Sequence, residues 1–368
     1  MLHLYCLPLW ARCLPFVRHQ IVVKSLMKQS ISIDFYYQRL MHIPLIDVRS
    51  PGEFAKGHIP NATNLELFTD HERAVVGTAY KKESKEKAYE LGYEFVKPKL
   101  NDFISKSATI APLKEVAIHC WRGGMRSNSF ADHLVANGFE KVYVIEGGYK
   151  AFRNHVIQFF EQPLALHVLG GYTGTGKTEI LHFLEKKGQQ VIDLEGMASH
   201  RGSAFGGIDL PAQPSTEQFE NALFFKIHGL NRKLPIWVED ESRMVGTVSI
   251  PEAFYNQMRE RTVYFLNVPV EQRTKHLVAT YANLTHEKLA DAITRITKRL
   301  GYDNAKFAQE ALANRNYAEV VKITLSYYDK YYLKGLQNRV NASVQEYKTP
   351  EVSPEKTADF LINLLNSI

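Results

Sequence analysis

Short apolar runs recur along the chain, and polar or glycine-containing turns separate them. They predict buried strands over residues 43–48, 116–119, 142–145, 164–169, 190–194, 236–238 and 262–268. Helical spacing of apolar residues predicts helices over residues 127–137 and 178–187. Because strands that alternate with helices form mostly parallel sheets covered on both faces, the fold class is α/β. Beyond Val270 the pattern is helical and polar, and we predict no strand there.

Length and pattern together predict two domains, since the chain has 368 residues and a domain has roughly 100–200. A new α/β unit begins after Gln162-Pro163, so we assign residues 27–160 to the first domain and 161–368 to the second. Residues 1–26 lack the uninterrupted apolar core of a signal peptide or membrane span. We interpret Met27 as the true first residue; the alternative is a genuine N-terminal extension.

Composition and charge exclude several classes of protein. The 45% hydrophobic and 23% charged residues are typical of a soluble globular protein. The net charge of +6 permits a polyanionic partner without requiring one. The three cysteines are too few for a disulfide-stapled scaffold or a thiolate-rich zinc site, and no metal centre is predicted. Cys6 and Cys13 lie within the first 26 residues and receive no function, which leaves Cys120.

Cys120 begins a loop between a predicted strand and a predicted helix, in the segment HCWRGGMRS of residues 119–127. Backbone N–H groups in such a loop point inward and the helix N-terminus adds positive potential, so the loop binds an anion and favours a thiolate. Arg122 and Arg126 reinforce both effects. We predict a nucleophilic thiolate facing a bound oxyanion; a buried structural cysteine is the alternative. His119 is predicted to orient the loop, with a general-base role as the alternative.

The first half of the chain resembles rhodanese domains. The resemblance rests on residues 47–49 (DVR), 53–54 (EF), 57–62 (GHIPNA) and 146–148 (EGG), and on the position of the Cys120 loop. Five residues separate Cys120 from Arg126, whereas the usual rhodanese loop is one residue shorter. The longer spacing is that of protein tyrosine and dual-specificity phosphatases. It predicts a loop that encloses a phosphate-sized group, and therefore a substrate that carries a phosphate.

The segment GYTGTGKT of residues 171–178 fits the phosphate-loop pattern G-x-x-x-x-G-K-[ST] and lies between a predicted strand and a predicted helix. Its backbone N–H groups would hold a di- or triphosphate, Lys177 would neutralise it and Thr178 could ligate Mg²⁺. Glu239 or Asp240, at the end of another strand, is the predicted carboxylate for that ion, with a solvated acidic cluster as the alternative. The predicted phosphate-binding residues are Gly171, Thr173, Gly174, Thr175, Gly176, Lys177 and Thr178.

Polar residues follow the ends of other strands in the second half. In an open α/β sheet, ligands bind at the carboxyl ends of strands. Residues there either line the site or only keep the loops soluble. The supporting residues that we predict are Asp193, Glu195, His200, Arg201, Glu239, Asp240 and Arg243.

The two halves together resemble the tRNA 2-selenouridine synthase family. The segments 193–196 (DLEG), 200–206 (HRGSAFG) and 239–243 (EDESR) look like motifs of that family's P-loop domain. The resemblance implies a cytoplasmic enzyme, not bound to a membrane, that replaces sulfur by selenium at the wobble 2-thiouridine of tRNA. It implies an S-geranylated intermediate made from geranyl diphosphate, then selenophosphate provided by a separate supplier, and no prosthetic group. The implied fold is a rhodanese-like parallel-sheet domain followed by a P-loop NTPase-like α/β domain with a helical C-terminal part.

The residues suggest a division of labour between the two loops. The Cys120 loop would bind selenophosphate, with Arg122 and Arg126 holding its oxyanions. The phosphate loop would bind a diphosphate, either geranyl diphosphate or a nucleotide. Arg295, Lys298 and Arg299 fall on one predicted helical face and are candidates for tRNA contact, with an ordinary solvated face as the alternative. Base stacking and core packing remain equal alternatives for Tyr327, Tyr328, Tyr331 and Tyr332.

Two other functions remain open at this stage. The chain could be a Cys120-dependent phosphatase or sulfurtransferase with an accessory P-loop domain. The P-loop half could also be a kinase or ATPase that an inert rhodanese module regulates, although Cys120 and its two arginines argue against an inert module.

Overall fold

A computed structural model describes residues 27–203, 205–281, 284–339 and 342–366 of the chain. The predicted N-terminal segment 1–26, with Cys6 and Cys13, lies outside the described residues. Among those residues, no helix combines the length and the apolar character that crossing a membrane requires.

Residues 27–160 form a parallel sheet covered by helices. Its strands, in the spatial order β1-β5-β4-β2-β3, are β1 (Met27–Ile31), β2 (Leu45–Asp47), β3 (Ala62–Asn64), β4 (Glu115–His119) and β5 (Lys141–Ile145). The helices are α1 (Ile33–Phe35), which continues into a π-helical turn (Tyr36–Leu40), α2 (Pro51–Lys56), α3 (Asp70–Lys82), α4 (Lys85–Val96), α5 (Leu100–Ile110), preceded by a 3-10 turn (Lys97–Lys99), α6 (Met125–Ala136) and α7 (Gly148–Phe159). The central strands β2 and β4 are almost wholly buried, as their apolar sequences predict.

The rest of the chain forms a second parallel sheet, a short hairpin and a set of C-terminal helices. The sheet has the spatial order β12-β11-β6-β8-β7, and the hairpin is β9-β10. The strands are β6 (Leu166–Gly171), β7 (Gln190–Ile192), β8 (Ile236–Glu239), β9 (Met244–Val245), β10 (Val248–Ser249), β11 (Val263–Asn267) and β12 (Val344–Lys348). The helices are α8 (Lys177–Lys186), α9 (Leu194–Met197), α10 (Thr216–His228), α11 (Glu252–Glu260), α12 (Val270–Tyr281), α13 (His286–Leu300), α14 (Tyr302–Ala313), α15 (Tyr317–Gln337) and α16 (Pro354–Asn366).

The α/β fold class is confirmed, but the prediction of no strand beyond Val270 is wrong. Strand β12 pairs in parallel with β11 at the edge of the second sheet. Its sequence, VQEYK, is largely exposed. An edge strand needs neither a continuous apolar run nor strict alternation, so its sequence resembles that of a polar loop.

The two sheets share a buried core. Phe152 on α7 packs edge-on against Phe224 on α10, with ring centroids 5.7 Å apart. Around this contact, the Asn221 side-chain amide donates to the His58 carbonyl (2.9 Å) and to the Tyr149 hydroxyl (2.9 Å). Helix α10 therefore connects the phosphate-loop half to the turn that closes the Cys120 loop.

Candidate functional site

The Cys120 loop connects the buried strand β4 to the N-terminus of α6. Cys120 is nearly buried, and its Sγ lies 3.3 Å from the Ser127 hydroxyl oxygen. The Cys120 carbonyl accepts a hydrogen bond from the Tyr149 N–H (2.9 Å), and the next carbonyl, that of Trp121, accepts one from the Lys150 N–H (3.0 Å). The first turn of α7 thus fixes the start of the loop from outside.

Two glycines allow this close contact. Gly123 and Gly148 have φ angles of +61° and +54°, which residues other than glycine rarely adopt. A Cβ on Gly148 would stand 2.2 Å from the Cys120 carbonyl oxygen, and one on Gly123 would stand 2.5 Å from the Ile145 carbonyl oxygen. The closing turn and the Cys120 loop therefore fit together only because both lack side chains at these points.

The two arginines of the loop have different environments. Arg126 Nη1 donates to the Glu53 carboxylate (2.9 Å), whereas Arg122 is exposed. Burial by itself raises the pKa of Glu53, but the Arg126 guanidinium, together with the Ser50 N–H and Arg73, holds this pKa below its ordinary value. Arg126 is therefore anchored to α2 across the loop, and Arg122 is the arginine that extends toward solvent.

His119 lies beneath the loop and is fully buried. Its Nε2 lies 3.6 Å from the Asp47 carboxylate, and its Nδ1 lies 3.3 Å from the Cys120 carbonyl oxygen. Burial lowers the pKa of His119 despite the neighbouring carboxylate, so the ring is neutral at pH 7. Arg49 binds Asp47 (2.6 Å) and lies over the Tyr149 ring (3.9 Å). These contacts fit a positioning role for His119.

The phosphate loop follows β6 and opens α8, as its sequence predicts. Gly174 and Gly176 have φ angles of +85° and +78°, which turn the loop back on itself. Lys177 Nζ donates to the Gly171 carbonyl (3.2 Å), so the lysine lies across the loop. The Thr178 hydroxyl donates to the Glu195 carboxylate (2.9 Å).

A group of carboxyl groups faces the phosphate loop. Glu239 is buried and accepts a hydrogen bond from the Glu195 N–H (2.7 Å). Burial, reinforced by Asp193 and Glu195, raises the pKa of Glu239 well above its ordinary value. Burial and the neighbouring Glu195 raise the pKa of Glu241 to about 8, and burial also raises the pKa of Glu195. Lys177 lowers the pKa values of Glu195 and Glu241, but burial outweighs it at both residues.

Asp240 has a structural environment. It accepts a hydrogen bond from the Tyr332 hydroxyl (2.8 Å) and forms an ion pair with Arg339 in which both side chains are buried. The Tyr332 hydroxyl also accepts a hydrogen bond from the Gly171 N–H (3.1 Å). The two carboxylates predicted for a metal, Glu239 and Asp240, therefore bind protein groups.

The C-terminal helices also hold the middle of the phosphate loop. Arg273 on α12 donates to the Thr173 carbonyl (3.2 Å) and pairs with Asp329 on α15 (2.7 Å). The Arg273 guanidinium lies over the Tyr172 ring (4.8 Å). The helices that follow the sheet are therefore part of the loop's support.

A cavity of about 560 Å³ opens at the phosphate loop. All seven predicted phosphate-binding residues line it, together with Glu195, Arg201, Asp240 and Glu241. Asp193 lies behind it, where it caps α9 through the Gly196 N–H (2.7 Å). The cavity brings most of the predicted residues of the second half together.

A second and wider cavity, of about 1160 Å³, contains the predicted tRNA-contacting residues, and we call it the basic groove. It shares Gly202, Ser203, Ser242 and Tyr328 with the phosphate-loop cavity, so the two are adjacent. Two acidic residues, Asp209 and Asp291, also line it. Its basic lining residues are His200, Arg243, Lys288, Arg295, Lys298 and Arg299.

Four residues with clear structural contacts were not among the predicted site residues. Glu53 belongs to a segment of the rhodanese resemblance, and Glu241 belongs to the acidic run after β8, so both had a sequence signal. Tyr332 and Arg273 contact the phosphate loop from 161 and 100 residues away. Contacts over such separations leave no local pattern. Nothing in the sequence distinguishes Arg273 from an ordinary helix residue, and the sequence offered Tyr332 for base stacking or core packing but not for a contact with the phosphate loop.

The fold and the two loops define the class: a protein that joins a rhodanese-like thiol domain to a P-loop domain. The sequence model of the rhodanese-like domain matches residues 32–155. The model described as the tRNA 2-selenouridine synthase AAA domain matches residues 164–355.

Whole-chain comparisons give the family. The tRNA 2-selenouridine synthase of Sulfurovum sp. (strain NBC37-1) is 39% identical over 302 residues, which cover 76% of this chain and 81% of the relative. The enzymes of the same name from Nitrosomonas europaea and Shewanella frigidimarina are 34% and 36% identical, over 80% and 76% of this chain and 90% and 77% of their own lengths. The chain belongs to the tRNA 2-selenouridine synthase family, and the resemblance found in the sequence is confirmed.

Proposed function

We propose that this protein is a transferase that replaces the sulfur of wobble 2-thiouridine in tRNA by selenium, through two group transfers at its two loops, in the cytoplasm. Family membership supports the overall reaction. The observation that carries the assignment is the adjacency of the phosphate-loop cavity and the basic groove, which share Gly202, Ser203, Ser242 and Tyr328. A tRNA held in the groove can present a base to a diphosphate ester held at the loop.

In the first transfer, the sulfur of 2-thiouridine attacks C1 of geranyl diphosphate. The C1–O bond breaks, and inorganic diphosphate leaves with the electron pair. Lys177 and the N–H groups of the phosphate loop stabilise the charge that develops on the leaving group. Thr178, Glu195 and Glu241 supply hard oxygen donors within reach of the loop, a set that fits Mg²⁺ bound through one or two carboxylates and phosphate oxygens. When bound, Mg²⁺ would supply further charge neutralisation.

In the second transfer, the selenium of selenophosphate attacks C2 of the S-geranylated uridine and the geranyl thiol leaves. The phosphoryl group on selenium then passes to the Cys120 thiolate and from there to water, which releases phosphate. Phosphorus keeps its oxidation state throughout, and so does selenium, so no oxidant is needed. The spacing of five residues between Cys120 and Arg126, with Ser127 beside the thiol and Arg122 exposed, supports this step. A separate enzyme must supply the selenophosphate.

A crossed pair of variants tests the two assignments. Purified protein is incubated with 2-thiouridine tRNA, geranyl diphosphate and selenophosphate, and the nucleosides are measured by mass spectrometry. We expect Cys120→Ser to lose 2-selenouridine and to accumulate the Se-phosphorylated uridine, because Cys120 removes the phosphoryl group only after the geranyl thiol has left. We expect Lys177→Ala to lose geranylation by roughly 10²–10³-fold, as removal of one transition-state donor does, yet to convert tRNA that is already geranylated.

Either variant can contradict the proposal. Selenation by Cys120→Ser at the wild-type rate would remove the thiol from the second transfer. Geranylation by Lys177→Ala at the wild-type rate would remove the phosphate loop from the first.

A further inference from the structure

The phosphate-loop cavity has two chemically different parts. One part is polar and consists of the phosphate loop with Glu195 and Glu241. The other part is mainly apolar and aromatic, and its side chains come from α11, α12, α15 and the loop before α10, which also contribute Arg259, His276 and Arg201 to the lining. We call this part the apolar wall, formed by Phe205, Tyr255, Leu277, Tyr328, Tyr331 and Leu336.

The apolar wall begins directly at the phosphate loop. A Cβ on Gly174 would stand 2.8 Å from Leu277 Cδ1, so this leucine covers the bend of the loop. Tyr331 lines the cavity although 54% of it is exposed, which leaves its ring available to a ligand. A molecule whose diphosphate lies in the loop would therefore have its next atoms against hydrocarbon.

The wall also differs from the basic groove. Within the described part of the chain, Leu277, Tyr331 and Leu336 line the cavity but not the groove, whereas Tyr328 lines both. A base that enters from the groove would therefore reach the cavity at Tyr328. The part of the apolar wall formed by Tyr331 and Leu336 would then be free to contact the group attached to the diphosphate.

We propose that α12 and α15 form a binding site for the prenyl chain, and that this site selects the length of the chain that the phosphate loop presents for transfer. The inference rests on the first transfer of the proposed function and adds the residues that hold the hydrocarbon. Apolar surface removed from water strengthens binding in proportion to its area, so each isoprene unit seated on the wall adds affinity that inorganic diphosphate lacks.

Gly335 provides a way to shorten this site. It lies on α15 and lines the cavity, and no described atom stands within 4 Å of a Cβ built on it. Its carbonyl accepts a hydrogen bond from Arg259 Nη2 (2.7 Å), which a side chain at position 335 leaves in place. Because glycine is also unfavourable inside a helix, Gly335→Leu fills the cavity without destabilising α15.

The experiment measures the dissociation constants of inorganic, dimethylallyl and geranyl diphosphate by calorimetry with Mg²⁺ present. In the wild type we expect geranyl diphosphate to bind at least about 100-fold more tightly than inorganic diphosphate. Gly335→Leu should weaken the binding of geranyl diphosphate by at least about tenfold and leave the dissociation constants of the other two ligands within about twofold of the wild-type values. Gly77→Leu is the matched control, because Gly77 lies on α3 in the other half and a Cβ there also meets nothing within 4 Å.

Two results would overturn the inference. One is equal affinity of the wild type for geranyl and inorganic diphosphate. The other is a Gly335→Leu variant that either binds all three ligands as the wild type does or weakens them equally. Geranylated tRNA is measured in parallel: a wild type that forms none contradicts the first transfer, while the affinity ratio still decides whether the wall binds a prenyl chain.

Discussion

The Cys120 loop and the phosphate loop are both proposed to bind anions, yet their charges are arranged in opposite ways. At the Cys120 loop, Arg126 is already paired with Glu53, whose pKa is held low. At the phosphate loop, burial raises the pKa values of Glu195, Glu239 and Glu241, and neighbouring carboxylates reinforce this. The first loop has one arginine already paired with a carboxylate, whereas the second has acidic groups that a cation with its diphosphate would compensate.

The two loops also differ in where their support comes from. The Cys120 loop is held by α2, α6 and α7, all within the first half of the chain. The phosphate loop depends on α12 and α15 and on residues as distant as Tyr332 and Arg339. Damage to the C-terminal helices should therefore disable the phosphate loop and spare the Cys120 loop, and the following predictions test that difference.

The largest effect is expected from breaking the ion pair of Asp240. Arg339→Met leaves this buried carboxylate without its partner, which costs roughly 3–5 kcal/mol of unfolding free energy. Arg126→Met breaks a pair that is partly exposed and should cost about 1 kcal/mol. Urea unfolding followed by circular dichroism measures both. If both variants lost the same unfolding free energy, the buried Arg339–Asp240 pair would contribute no more to stability than the partly exposed Arg126–Glu53 pair.

A smaller effect is expected from the Tyr332 hydroxyl, which bridges Gly171 and Asp240. Tyr332→Phe removes one donor and one acceptor from a buried site, which costs about 1–3 kcal/mol. Hydrogen exchange of the phosphate loop should increase, while exchange of the Cys120 loop stays unchanged. Tyr331→Phe, one residue away and exposed, is the matched control and should change stability by less than about 0.5 kcal/mol. An equal change in both variants would contradict the bridge.

These residues show how far the sequence alone could lead. Both loops were predictable, because each has its chemistry within eight or nine consecutive residues and lies between a strand and a helix. The α/β class followed from apolar runs in the buried strands. Strand β12 was missed because an exposed edge strand carries no apolar signal, and the contact of Tyr332 with Gly171 was missed because it joins helix α15 to a loop 161 residues earlier.

The choice of carboxylate was harder for a related reason. The run Glu239-Asp240-Glu241 predicts acidic groups at a strand end. Successive side chains point to opposite faces of the sheet, however, so the three carboxylates lie in different environments. Glu239 meets the Glu195 backbone, Asp240 meets Tyr332 and Arg339, and Glu241 faces the phosphate loop. Only the packing of β8 against α9 and α15 decides which of the three is available.

The opposite charge arrangements predict opposite responses to pH. Glu53 has a lowered pKa in the folded protein, so its stabilising contribution is present above the ordinary pKa and is lost as the pH falls through the folded value. Glu241 has a pKa raised to about 8, so the folded state binds the extra proton and stability falls as the pH rises from the ordinary value to about 8.

Hydrogen exchange read peptide by peptide, in a metal chelator, measures these two responses. Between pH 5 and pH 8, after correction for the intrinsic exchange rate, protection should fall at the phosphate loop. Below pH 4.5 it should fall at the Cys120 loop. Glu241→Gln, which cannot ionise, should flatten the first response and leave the second unchanged. The same trend at both loops would contradict the difference in their charge arrangement.

The smallest effect is expected in the basic groove, which adjoins the phosphate-loop cavity. Lys298→Ala should remove about one contact to a tRNA phosphate, so the affinity for tRNA falls by only a few fold and the slope of log Kd against log salt decreases by about 1. Lys106→Ala is the control, because Lys106 is an exposed lysine paired with Asp102 on α5, in the half that carries the Cys120 loop. If the two variants reduced the salt slope equally, tRNA would lie across both halves, and the groove would lose its special relation to the phosphate loop. A decrease confined to Lys298→Ala would instead assign RNA binding to the P-loop half. Under the proposed function, the geranylated base would then have to reach the Cys120 loop by a movement of the tRNA.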